Sequence, residues 1–591
     1  MLQTDLSRTD DTIPRRNGLD RFFMYAKKLP ESDSLLLKIA LAACFVSMIW
    51  LIITWSTGAQ LRIPTHGGTL TEGVLGTPRF VNPILAVTRA DKDLTTLLYD
   101  GLMRLSGNGT LQPSIAESIT ISDDGLTYNI VLRKDITFHD ESPLTALDVV
   151  YTVSRIQDPS LSSPLRANFD DVTIEQVSEF ELNFILPEPY APFIENLTFG
   201  ILPEHIWKDA SSEEFPFSQR NSDPVGSGPY RVSKIMRSNS GIPESYTLTP
   251  FQNYHSGVAK IESLTIFFFS NEDTLVESFK KGTIDSLAGI DQSRLFELGI
   301  QTTTHTVMQI PLPRTFALFI NQNKTPALRD PAARKALDVA FNRTTLIETA
   351  LGGYGIPIQS PIPTGFGIDT PPLSTSTDSA ALDTARDILR NAGWKLNTES
   401  GVWEKTIDNT VVPLSFSIAT VNSPVFEATA EFLRATWEKL GAKVTIKQFE
   451  QSDLTQAIIR PRDYETLLFG THVGRSLDFY SFWHSSQRND PGLNVSLYTN
   501  ITTDSILTSA RSDTNAQNRT EALMKFADEV RKETPALFLY EPELLYVFPN
   551  TVMDASFVGI SEPHERFAGI HNWYMNTESV WPFFTDRNSN E

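Results

Sequence analysis

One cysteine, Cys44, in 591 residues leaves no room for a disulfide framework, a cysteine-ligated zinc site or an iron–sulfur cluster within the chain. Positive charge is scarce as well. Fifty Lys and Arg face 71 Asp and Glu, a formal charge of -21. Duplex binding needs clustered cations to displace counterions, so nucleic acid is excluded as a partner. Catalytic signatures are also missing. Gly226-Ser227-Gly228 lacks the spacing of a G-x-S-x-G elbow, and His564-Glu565 stands without the second histidine of a zinc protease. Gly107-Asn108-Gly109 and Gly352-Gly353-Tyr354-Gly355 have no Walker lysine and suit turns. The nine histidines are scattered, and His139-Asp140-Glu141 reads as a solvated turn after a strand. No metal, no cofactor and no enzymatic activity are expected.

What is present is a globular composition, 40% hydrophobic and 20% charged, in a chain too long for one core. Two to four domains are expected. One segment differs from the rest. Residues 35–55 carry no charge except Lys38, and 21 residues at about 1.5 Å each span a hydrocarbon core of about 30 Å. The first 38 residues hold Arg8, Arg15, Arg16, Arg21, Lys27, Lys28 and Lys38, whereas Arg62 and Arg79 are the nearest cations beyond the span. The positive-inside rule then puts residues 1–34 in the cytoplasm and residues 56–591 outside. A cleaved signal would start nearer the N-terminus. Leu41-Ala42-Ala43-Cys44 spells a lipobox, but eleven membrane-compatible residues follow the cysteine. The first 38 residues have net charge +1, so the exported part carries -22 and repels anionic headgroups.

The exported chain opens with a tether over 56–67. Ile119-Thr120-Ile121 and Tyr128 to Leu132 alternate on either side of Asp124-Gly125, a hairpin signal. Thr145 and Asp148 form a capping-box variant ahead of a helix with Val149, Val150, Val153 and Ile156 on one face. Residues 111–222 thus form a strand-rich module. From about 310 the pattern becomes helix, glycine, strand. Asp330 caps a helix opened by Pro331, Thr345 and Glu348 cap a second, and Phe426, Leu433, Trp437 and Leu440 stripe a third that ends at Gly441. Ala442, Val444 and Ile446 then alternate with polar residues. This is the pattern of an α/β layer.

Gly470 to His484 is rich in groups that recognise rather than react. Arg475, Asp478, Tyr480 and Trp483 supply charge, donors and flat apolar faces. Phe482 and Trp483 fit a core beneath the loop equally well.

Several motifs together resemble the family 5 extracellular solute-binding proteins of ABC importers, the group of oligopeptide, dipeptide and nickel binders. Asn82-Pro83-Ile84-Leu85 is similar to the family's opening loop, and Leu98-Tyr99-Asp100-Gly101-Leu102 to its D-G-L segment. The most specific match runs from Pro113 to Tyr151, around Leu132-Arg133-Lys134-Asp135-Ile136-Thr137-Phe138-His139-Asp140. Gly226-Ser227-Gly228-Pro229-Tyr230 is similar to the return strand, and residues 332–352, 494–498 and 535–540 fit later positions.

The resemblance implies an α/β, two-lobed periplasmic-binding-protein fold of class II with an extra inserted subdomain, preceded by one transmembrane helix. Lobe I would comprise 68–110, 223–308 and 536–591, with 111–222 inserted, and lobe II 309–535. Crossings near 308–312 and 533–538 would serve as hinges. The implied function is capture of a peptide or peptide-like solute by hinge closure and delivery to the permease subunits of an ABC importer. The protein would be a monomer on the extracytoplasmic side of the cytoplasmic membrane. The implied ligand-binding residues are Asn82, Arg475, Asp478, Phe479, Tyr480 and Trp483.

One departure matters. Peptide binders place an amine-binding carboxylate a few residues before an Asp-Pro in this loop. Asp478 matches that Asp, but Phe479 replaces the Pro and Arg475 stands where the carboxylate would be. Arg475 is therefore expected to face the cleft and favour an anionic group. An exported, membrane-tethered hydrolase and a sensor acting through a membrane partner are the alternatives. The first needs a nucleophile or metal constellation, and the second needs a partner, because residues 1–34 are too few for a catalytic domain.

Overall fold

Alternation along the strands decides how the sheets are covered. In Arg314–Ile320, Ala317 and Phe319 enter one core while Leu318 and Ile320 enter another. Ala536 and Phe538 part from Leu537 and Leu539 in the same way. A strand apolar on both sides must be covered on both. Helices Pro331–Val339 and Pro424–Leu440 cover one face through Leu337, Leu433 and Trp437. Helices Ile501–Ser512 and Ala516–Glu533 cover the other through Leu507, Phe526 and Val530. The six strands follow the order 356–357, 536–541, 314–320, 466–472, 415–421, 443–449.

The computed structural model describes residues 30–58, 61–366, 368 and 378–581. The basic residues before position 30, on which the orientation argument rests, lie outside them, as do residues 370–377 of Thr370 to Asp378, a stretch whose Pro, Ser and Thr content predicts a polar loop. Residues 66–576 form one compact unit. It holds a second large sheet of seven strands, in the order 305–311, 543–549, 286–288, 69–75, 263–269, 243–250, 230–237. Leu70, Leu264, Ile266 and Tyr546 anchor its main core, which runs on without a break into Tyr128, Phe138, Val149 and Phe184 of the 111–222 module. That module carries a four-stranded antiparallel sheet, in the order 116–121, 127–132, 181–185, 173–178, and the helix Ala146–Gln157.

Two strand pairs tie the large sheets together. His305–Pro311 pairs antiparallel with Glu543–Pro549 in the seven-stranded sheet. Arg314–Ile320 pairs antiparallel with Ala536–Glu541 in the six-stranded sheet. The chain therefore passes between sheets at Leu312-Pro313 and again at Pro542. Prolines end both ladders because they have no N–H to donate. The second passage was expected at 533–538. It lies later because Ala536–Glu541 pairs within the six-stranded sheet.

Three local expectations change. Asn342, not Thr345, caps the helix Arg343–Ala350, its Oδ1 accepting from the Thr344 N–H at 2.8 Å and the Thr345 N–H at 3.3 Å. Of Asp124 and Gly125 only the glycine has positive φ, at 70°, and the connection spans 122–126 instead of two residues. Leu61–Thr65, expected within a tether, is a strand that pairs with Asn576–Val580.

Helix Glu31–Gly58 is continuous. Over Glu31–Leu51 it is long and apolar enough to cross a membrane, and Leu35, Ile39, Phe45 and Trp50 are exposed on it.

Candidate functional site: a cavity at the strand crossings

A cavity of about 540 Å³ opens where the two strand pairs cross. Leu312, Arg314, Phe316, Tyr540, Pro542 and Leu544 line it from the crossing strands. Arg89, Lys92, Gly289, Gln292 and His564 come from the side of the seven-stranded sheet, with the carboxylates Asp291, Glu543 and Glu562, and Leu351, Val425 and Phe426 from the side of the six-stranded sheet. The apolar wall is built by stacking. The rings of Phe316 and Tyr540 lie 5.2 Å apart at 13°, and Phe426 tilts against Phe316 at 5.3 Å. Gly470 keeps the next strand clear, since a Cβ there would touch the Phe316 ring at 3.0 Å. The volume falls within the usual range for small-ligand sites, roughly 300–1,000 Å³.

Beneath the cavity lies a fully buried charge network. Arg566 donates from Nη1 and Nη2 to Asp93 at 2.7 Å each, and from Nη2 to Glu72 Oε1 at 3.0 Å. Tyr546 Oη donates to Glu72 Oε2 at 3.1 Å. Burial raises the Asp93 carboxyl, but the Arg566 guanidinium outweighs it and leaves Asp93 below the ordinary range. Glu72, with a weaker share of the same guanidinium, stays raised by burial. Arg89 sits beside this network with its Nε 3.8 Å from Asp93 Oδ2. Its Nε and Nη2 are buried without a hydrogen-bond acceptor. Buried donors left unpaired cost about 1–3 kcal/mol each. Among the described residues, no group of three or more His, Cys, Asp or Glu is placed to hold a metal ion.

None of the six residues singled out from the sequence lines this cavity. Asn82 is fully buried, donating from Nδ2 to Asn221 Oδ1 at 2.9 Å and accepting from the Ile84 N–H at 3.1 Å. Phe479 and Trp483 are core residues of the six-stranded half, packed against Phe526 and Phe538. Arg475 reaches across the halves. Its Nη2 donates to Glu565 Oε2 at 2.7 Å, and its Nη1 donates to the carbonyl of Gly559. Burial pushes the Glu565 carboxyl up, yet Arg475 and His564 hold it below the ordinary value. Asp478 makes a second link. It accepts from Tyr190 Oη at 3.2 Å and lies 3.2 Å from Arg511 Nε, whose guanidinium sits 4.7 Å over the Tyr480 ring. Residues 475–480 thus join the six-stranded half to the seven-stranded half and to the 111–222 module.

Sequence reasoning missed Arg89, Glu565, Arg566 and Glu72. Arg89 carried one faint signal, a cation at the first position of a helix, where the dipole disfavours it. The others gave none, because their partners are distant in sequence.

A two-lobed α/β fold with a cavity at its strand crossings is that of a hinged binding protein. Residues 110–492 match the model of the bacterial extracellular solute-binding proteins, family 5 (middle). The chain belongs to this family, whose members bind solutes and are not enzymes. The oligopeptide-binding protein AppA of Bacillus subtilis (strain 168) is 24% identical over 532 residues, covering 87% of this chain and 92% of the relative. The nickel-binding periplasmic protein of Escherichia coli (strain K12) is 26% identical over 368 residues, 61% of this chain and 67% of the relative. Among solved structures, the ABC transporter substrate-binding protein CtaP of Listeria monocytogenes superposes with a TM-score of 0.71 at 25% identity, covering 86% of this chain and all of that one.

Proposed function

We propose that this chain is the solute-capturing subunit of an ABC importer and takes a peptide or peptide-like solute, unaltered, between its lobes. One lobe comprises 68–110, 223–311 and 543–576 with 111–222 inserted, and the other 314–541. Helix Glu31–Gly58 tethers the binding unit to the outer face of the cytoplasmic membrane with the N-terminus inside, and the protein acts as a monomer.

The observation that carries this reading is the cavity at Leu312-Pro313 and Pro542, walled by residues of both halves. A solute held there touches both lobes and binds their closed arrangement better than the open one. It shifts the equilibrium by that difference in affinity. The name of the oligopeptide-binding relative, which spans most of this chain, supports a peptide over the metal of the nickel-binding one. Arg475 and Asp478 act on the solute through closure, by joining the lobes, while Phe479, Tyr480 and Trp483 hold the loop that carries them and Asn82 holds the opening loop against Asn221.

Mass spectrometry of molecules released by denaturing the full-length protein, purified in detergent, tests the proposal. Intact short peptides at up to one per chain are expected. A purified chain that holds no small solute and takes up none from a peptide mixture would refute the reading.

A further inference from the structure

Arg89 opens the helix Arg89–Leu98 and lies in the cavity wall against the backbone of Gly289. The fit depends on that glycine. Any Cβ at position 289 would collide with Arg89 Nη1. The protein satisfies this guanidinium poorly. Nε and Nη2 have no acceptor, and the nearest carboxylate, Asp93 at 3.8 Å, already gives both oxygens to Arg566. Lys92, one turn along the same helix, lines the same cavity, and no carboxylate among the described residues lies within ion-pair reach of it. The other arginines here already face carboxylates: Arg475 is held by Glu565 and the Gly559 carbonyl, and Arg314, which also lines the cavity, has its Nη2 3.6 Å from Glu562 Oε2. Buried, unpaired donors are retained where something else supplies the acceptor. A carboxylate matches the guanidinium fork in geometry and charge.

We infer that Arg89 is the anchor for a carboxylate of the captured solute, with Lys92 as the second cation. The inference rests on the peptide reading above and narrows it to solutes that present a carboxylate to the side of the seven-stranded sheet. In a peptide this is either the free C-terminus or an acidic side chain.

Three synthetic tri- to pentapeptide pools separate the possibilities: neutral side chains with a free C-terminus, the same sequences amidated, and amidated sequences carrying one Glu. Equilibrium binding is measured with the full-length chain in detergent and with Arg89→Gln and Arg89→Lys. Wild type should retain at least one carboxylate-bearing pool about tenfold or more better than the neutral amides. The better of the two names the source. Arg89→Gln should abolish the preference for acids over amides, and Arg89→Lys should keep part of it. Equal binding of acids and amides by wild type overturns the inference while leaving the peptide reading intact, and this arm needs no variant to fold. A preference that survives in folded Arg89→Gln also overturns it. Failure to retain any pool overturns both readings.

Discussion

Arg475 shows what one residue can and cannot reveal. The resemblance implied a carboxylate where this sequence has a cation, and charge alone pointed to an anionic solute. The structure gives that cation an anionic partner within the protein, Glu565 of the other half at 2.7 Å. Neither side chain is more than 21% exposed, so removing one partner leaves a poorly solvated charge and costs more than breaking a surface bridge. Because it forms across the lobes, its loss should weaken solute binding more than it lowers the melting temperature. Calorimetry with a retained peptide should show Arg475→Ala and Glu565→Gln each weakening binding about tenfold, and the double variant no more than either single. If Arg475 instead held the solute directly, Glu565→Gln would release the guanidinium and strengthen binding. The buried network below the cavity was not legible at all. Arg566 meets Asp93 and Glu72 across sequence separations of 473 and 494 residues. No local pattern encodes such pairs. The aromatics at 479 and 483 were ambiguous for a physical reason too: a large ring satisfies a core and a binding wall alike.

Elements were easier to read, because periodicity is local. The stripe Phe426, Leu433, Trp437, Leu440 became the helix Pro424–Leu440, which Gly441 ends at φ 108°. The Asp330 cap also formed, its Oδ1 accepting from the Ala332 N–H at 2.9 Å. The Thr345 cap did not, because Asn342 offers its amide oxygen three residues earlier and Asn is the stronger capping residue. The signature around His139 has a structural explanation that its pattern did not disclose. His139 Nδ1 accepts from the Gly226 N–H at 3.2 Å, and Nε2 donates to the Gly228 carbonyl at 3.1 Å. The signature turn thus grips the return strand that ends the inserted module. The first bond needs the neutral ring, because a protonated Nδ1 cannot accept. Burial, foremost, lowers the His139 pKa to about 4 from 6.5. Its folded value lies below its unfolded one, so its contribution is complete above pH 6.5 and is lost as pH falls toward 4. The loss amounts to about 3 kcal/mol. Urea unfolding at pH 7 and pH 4.5 should show wild type losing more stability on acidification than His139→Gln by roughly 2–3 kcal/mol. Equal losses would remove His139 from the account.

At the scale of the molecule, two neighbouring crossings leave few backbone torsions to resist a change of angle between lobes, and the cavity lies at that pivot. The change in pattern near residue 310 falls where the chain passes into the six-stranded sheet at Leu312-Pro313. The position of the second crossing could not be read from the sequence, because Ala536–Glu541 is apolar on both faces and would suit either sheet. The central claim is that one solute bridges both halves. Hydrogen–deuterium exchange of the full-length chain in detergent, with and without a saturating peptide pool, tests it most directly. The account predicts slower exchange in both 87–94 and 426–433, on opposite walls of the cavity, together with 314–316 at the crossing. Protection confined to one wall, or none in the presence of bound peptide, would contradict it.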